Sequence, residues 1–175
     1  ILDMPVTVPR TSIAQASDDV RVRDEVMRGF PEVEQVVGKV GRADTPTDPA
    51  SLTKLMAAYI VFGAVRDKKL ALEQPIPVSV RAWNERKGDP SLMFIDTTMR
   101  PTVDELLHGM IVISGNDASV ALAEAVGGSV ETFVAMMNRQ AQAWGLKNTA
   151  FRNVTGMTET GHRASARDVA TIAAH

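Results

Sequence analysis

The chain has 175 residues, 45% of them hydrophobic and 23% charged, with a formal net charge of −2. That is the length and composition of one globular domain; it excludes a disordered chain and lacks the basic field that nucleic-acid binding needs. With no cysteine, disulfides, thiolate metal sites and cysteine nucleophiles are excluded as well.

In chain order, Ile1 to Val8 alternates Met4, Val6 and Val8 with Pro5 and Thr7, which predicts an edge strand. From Ser12 the period becomes helical: Ile13, Ala16, Val20, Met27 and Phe30 share a face, and Gly29 with Pro31 stops the helix. Val33 to Val40 reads as a second strand and Gly41 to Pro49 as a polar connector. The pattern then becomes helix-rich. Leu52 to Arg66 is apolar almost all round, which predicts a central buried helix. Leu55 to Val65, its apolar run, is too short to span a bilayer.

Pro75 to Val80 is expected as a short strand, and Ala82 to Thr98 as an irregular exposed stretch with a turn at Gly88-Asp89-Pro90. Thr102 and Glu105 form a capping box behind Pro101, so a helix should run through Leu106, Leu107, Met110, Ile111 and Ile113. Further helices are predicted at Asp117–Val126, at Val130–Trp144 with Gly145 as its stop, and from Ser165 onward.

Two short motifs carry chemistry. Ser51 and Lys54 stand three apart at a helix start, so both project from one face. A serine hydroxyl becomes a useful nucleophile when a base takes its proton, and a lysine serves once burial lowers its pKa. The plainer reading is a capping serine beside a solvated lysine. A lysine heading so apolar a helix is, however, hard to leave in water. Ser114-Gly115-Asn116 sits on a tight loop between two helices, where a hydroxyl and an amide could reach the lysine and a substrate. The plainer reading there is turn chemistry. His108 reads as a packed helix histidine, and His162 and Asp168 as loop and helix-cap structure, with a supporting role for Asp168 near the site left open. The three histidines lack the close spacing of a helical zinc site, and the nine methionines are dispersed as core residues. No metal or cofactor is expected.

S-x-x-K at 51–54 and S-G-N at 114–116 are the first two motifs of the penicillin-recognising serine enzymes. The segments Asp48 to Met56, Ser91 to Phe94, Glu105 to Met110, Ile113 to Ala118 and Asn148 to Met157, with His162 and Ser165 to Asp168, resemble the D-alanyl-D-alanine carboxypeptidases. These are the low-molecular-weight penicillin-binding proteins. The resemblance, covering about residues 48–175, implies an α+β chain: the helical subdomain of the serine β-lactamase/D,D-peptidase (transpeptidase-like) fold. It implies that Ser51 attacks the D-Ala-D-Ala carbonyl of a peptidoglycan pentapeptide, or a β-lactam, to form an acyl-enzyme. Lys54 would be the general base, Ser114 the proton relay and Asn116 the substrate-binding amide. A class A β-lactamase fits less well, because Gly115 stands where that group carries aspartate and no E-x-x-L-N segment occurs.

Two departures limit this reading. No K-T-G or K-S-G follows Ser114, so the expectation is a chain without the C-terminal strands of the sheet and with weak or absent catalysis. Met4 to Pro9, Phe30 to Glu34 and Gly38 to Ala43 resemble a periplasmic segment of heavy-metal efflux transporters of the resistance-nodulation-division type. Residues 1–48 are therefore expected to be a transporter-like βαβ segment in place of the first sheet strands, joined to a partial D,D-peptidase domain at 49–175. The alternative is a non-catalytic chimeric fusion or a binding module without turnover. The family implies a periplasmic setting, although Ile1 to Pro9 does not read as a signal peptide. No nucleic acid and no membrane span are expected, and helices left uncovered would favour a homodimer or swapped assembly.

Overall fold

The structure, a computed structural model, describes Val22, residues 43–87 and residues 91–175. The two strands expected before Gly41, the helix expected from Ser12 (Val22 apart) and the turn at 88–90 lie outside the described residues. The chain divides into two compact units, Ile1–Ala43 and Asp44–His175, and the second holds both candidate motifs.

That unit is helical. A short 3₁₀ turn, Ala50–Leu52, feeds directly into α1, Thr53–Arg66. Then follow α2 (Val80–Asn84), α3 (Val103–Val112), α4 (Asn116–Gly127), α5 (Val130–Ala143) and α6 (Ala166–Ala173). Among the described residues there is no regular strand, and extended pairing is confined to isolated bridges at Thr47–Ala164, Pro75–Thr102 and Ala150–Arg163.

The helices start where side chains satisfy their first free N–H groups. Thr102 Oγ1 accepts from Glu105 N at 3.2 Å while Glu105 Oε2 accepts from Thr102 N at 2.8 Å, the expected capping box. Ser129 caps α5 by accepting from Thr132 N, and Ser165 caps α6 by accepting from Asp168 N. Gly145, at φ +68°, follows α5 in the left-handed conformation that releases a helix.

α1 is the hub, touching α3, α4, α5 and α6. Met56, Ala57, Val61 and Ala64 are buried along it and meet Leu106, Met110, Leu122, Phe133, Met137 and Phe151 in one core. Three methionines, Met56, Met110 and Met137, are thus core residues. The all-round burial expected for α1 is incomplete. Leu55 and Phe62, seven residues apart on one face, remain exposed.

Two other expectations are corrected. Pro75 to Val80 does not form a strand: Pro75 bridges Thr102 and Ile76 N donates to Pro101 O, then Ser79 accepts from Ala82 N and caps α2. A helix cap thus ends the extended segment before a ladder can form. His108 is not packed but exposed, its Nδ1 2.9 Å from the Asp104 carbonyl one turn back. Val103, Leu106, Leu107 and Met110 bury the opposite face of α3.

Candidate active site

Lys54 lies in the first turn of α1 and is 5% exposed. Its ammonium donates to Asn116 Oδ1 at 2.9 Å and to the Thr155 carbonyl at 2.6 Å. Removing a cation from water favours its neutral form, and burial pushes Lys54 down to about 8, against a smaller upward pull from the Glu85 carboxylate. Ser51 stays exposed at the surface, where Ser114 Oγ donates to Ser51 Oγ at 2.9 Å. The four sequence candidates therefore meet as two linked pairs, Ser51 with Ser114 and Lys54 with Asn116. In this arrangement Ser51 and Lys54 do not hydrogen-bond directly to each other. With Asn116 Oδ1 turned to the lysine, its Nδ2 has no partner among the described residues and stays available as a donor.

Backbone geometry holds the hydroxyls in place. Ala50 and Ser114 both adopt positive φ, +46° and +59°. Such conformations are unfavourable for residues with a Cβ and persist where the surroundings over-determine them. Asp48 supplies part of that constraint: Oδ1 accepts from Ala50 N at 3.1 Å and Oδ2 from Thr158 Oγ1 at 2.5 Å. The Thr158 hydroxyl, then the Ala50 N–H, keep the Asp48 carboxyl below its ordinary value.

The loop at 153–158 was the least legible part of the site. Asn153 Oδ1 accepts from Gly156 N, Asn153 Nδ2 donates to the Met157 carbonyl, and the resulting turn presents the Thr155 carbonyl to Lys54. Gly156, at φ +86°, lies so close that an added Cβ would stand 1.9 Å from the Ala50 carbonyl oxygen. Sequence reasoning gave Thr155 and Gly156 no role. The available sign was the family-like segment Asn148 to Met157 that contains both residues.

His162 and Asp168 brace the surroundings. His162 Nδ1 accepts from Arg152 N at 3.0 Å, so the neutral ring carries its proton on Nε2 and donates to Thr53 Oγ1 at 2.8 Å. Burial holds its pKa below the ordinary histidine value. Asp168 accepts from Asn148 N and Thr149 Oγ1, tying the start of the 148–158 loop to α6. Neither side chain hydrogen-bonds to Ser51 or Lys54. No group of three or more metal-ligating side chains occurs among the described residues. No single helix there is long and apolar enough to cross a membrane.

This fold defines a class, that of the penicillin-binding proteins. Penicillin binding protein 5 from Haemophilus influenzae superposes with a TM-score of 0.75 at 41% identity, covering 78% of this chain and 40% of that one. Penicillin binding protein 6B from Escherichia coli gives 0.73 at 37%, covering 78% and 45%. Within the class, the chain belongs to the Peptidase S11 family of D-alanyl-D-alanine carboxypeptidases, whose sequence profile matches residues 33–175. The D-alanyl-D-alanine carboxypeptidase DacA of Haemophilus influenzae is 43% identical over 127 residues, 73% of this chain and 32% of the relative. DacC of Escherichia coli is 41% identical over 141 residues, 77% and 35%. The chain thus spans about a third of the length of these curated relatives.

Proposed function

We propose that this chain carries the acyl-transfer half of a serine D-Ala-D-Ala carboxypeptidase site and reacts with peptidoglycan stem peptides and β-lactams through Ser51. The observation that carries this is the desolvated Lys54, held by Asn116 and Thr155 beside an exposed Ser51–Ser114 hydroxyl pair. A lysine with a pKa of about 8 is partly neutral near neutral pH and can accept the Ser51 proton. Ser51 Oγ then bonds to the carbonyl carbon and the carbon–nitrogen bond breaks. The proton passes through Ser114 to the leaving amine. Asn116 Nδ2 offers a donor to the substrate amide. Water later hydrolyses the ester.

A second reading, adduct formation without turnover, is favoured by one observation. Lys54 Nζ donates to Asn116 Oδ1 and the Thr155 carbonyl rather than to Ser51, so the base is not yet engaged with the nucleophile. Intact-mass measurement with benzylpenicillin, beside Ser51→Ala, tests both. A Ser51-dependent adduct together with D-alanine release from a D-Ala-D-Ala peptide is expected for the carboxypeptidase. Adduct without release leaves the binding reading, and no adduct overturns both.

A cell-wall substrate places the chain in the periplasm. Exposed Leu55, Phe62, Ile111 and Val112 favour self-association, which light scattering showing only monomer would disprove. Residues 1–48 are assigned a transporter-like origin on their sequence motifs alone; the family match begins at residue 33, so residues 33–48 fall under both descriptions. Deleting residues 1–32 without loss of the folded second unit would support a separate origin.

A further inference from the structure

Residues 91–95 form a strap tied to the S-G-N turn. Asn116 N donates to the Ser91 carbonyl at 2.8 Å. Asp117, 2% exposed, accepts from Met93 N at 2.9 Å and from Ile95 N at 3.1 Å. Those two N–H groups bracket Phe94. The strap also packs directly on the turn: Met93 N lies 3.1 Å from where a Cβ on Gly115 would stand. A buried carboxylate next to Asn116 thus fixes the backbone on both sides of Phe94, one residue along from the Met93 N–H that lies against the S-G-N turn.

That residue is held unfavourably twice over. Phe94 has φ +64° and is 78% exposed. Glycine or asparagine would take this conformation with less strain, and a polar side chain would suit the exposure. A rigid aromatic held out into water on a strap bonded to the S-G-N turn suits a contact that forms only when a ligand arrives. Apolar neighbours flank the hydroxyl pair as well. Leu52 follows Ser51, Ile113 precedes Ser114, and Met157 follows the glycine pressed on Ala50; all three are exposed.

We propose that Phe94 is a specificity-determining residue that packs against an apolar substituent next to the reacting carbonyl of the acyl donor. The site then favours donors with an aliphatic or aromatic group there over donors with a bare polar one. The clamp by Asp117 sets the ring in advance, so little freedom is lost on binding. This inference rests on the acyl-transfer reading above and adds which substituent the site selects.

Benzylpenicillin and 6-aminopenicillanic acid share a nucleus and differ in that only the first carries a phenylacetyl group. The test compares Ser51 acylation rates for the two by intact mass, in the full chain and in Phe94→Asn and Phe94→Tyr. Phe94→Asn should lower the ratio of the two rates about tenfold, leave the 6-aminopenicillanic acid rate within about twofold and leave Tm no lower, since asparagine tolerates the left-handed region. Phe94→Tyr should keep the ratio. An unchanged ratio in Phe94→Asn, or an equal fall of both rates, overturns the inference while the acyl-transfer reading stands. Acylation of the unmodified chain by neither compound removes that reading and this inference together.

Discussion

The two ends of α1 differ in how tightly they are held. At the N-terminal end the Lys54 ammonium has two acceptors, Thr53 is tied to His162, and the Gly156 backbone presses on the Ala50 carbonyl. At the other end Gly63 faces open space, with nothing within 4 Å of an added Cβ. A groove of about 580 Å³ opens there, lined by Tyr59, Gly63, Arg66, Lys69 and Arg139 among others. One helix therefore joins a region tied by long-range hydrogen bonds to one that tolerates change. A buried cation needs compensating acceptors wherever it sits, so the tight end follows from placing a lysine there.

The sharpest break of this contrast is Lys54→Met. It removes the proposed base and orphans Asn116 Oδ1 and the Thr155 carbonyl, and Ser51 acylation should slow by about 10²–10⁴-fold. Stopped-flow or mass-resolved time courses with benzylpenicillin measure this, and a change below about threefold would remove Lys54 from the chemistry. Next comes Gly156→Ala, which adds a Cβ against Ala50 at a positive φ. It should cost about 2–5 kcal/mol in urea unfolding; a loss under about 0.5 kcal/mol would mean that the loop moves aside easily.

pH reads the same end of the helix. With Lys54 at about 8, acylation should rise about tenfold per pH unit below that value and level off above it. A flat profile from pH 6 to 9 would contradict a lysine base. Stability should follow with the same sign. The unfolded lysine titrates near 10.5 and the folded one near 8, so between these values the unfolded chain binds more protons. Raising pH through that window should then stabilise the fold as regards this group. The smallest effect belongs to the loose end. Gly63→Ala should stabilise by about 0.5–1 kcal/mol, because helix propensity improves and nothing is displaced. Destabilisation there would show that the groove is closed in solution.

What the sequence made legible follows the range of the interactions. Caps and stops act within four residues, so Thr102 with Glu105, Ser165 and Gly145 marked real helix ends. The apolar run before Ser114 also formed a helix where one was expected. Pro75 to Val80 failed as a strand because alternation says nothing about a partner, and Ser79 supplied a cap instead. His108 was misplaced although its position off the face of Val103, Leu106 and Met110 was readable from periodicity. Thr155 was beyond reach in principle. It acts through a carbonyl that every residue possesses, delivered across 101 positions of sequence.

That separation sets an order of events during folding. The Thr53–His162 and Asp48–Thr158 contacts span 109 and 110 positions, and the Thr47–Ala164 pairing joins the same two stretches. Residues 47–54 are made early and must wait for the loop that encloses them. Until it arrives, a nascent α1 presents a lysine with no acceptor at 155 and an apolar surface with little to cover it. The local helices α3 to α5 can form on short-range contacts, whereas the corner around Lys54 is a late closure with high contact order. Slow refolding that restores helical circular dichroism before β-lactam reactivity would be the kinetic signature of that order.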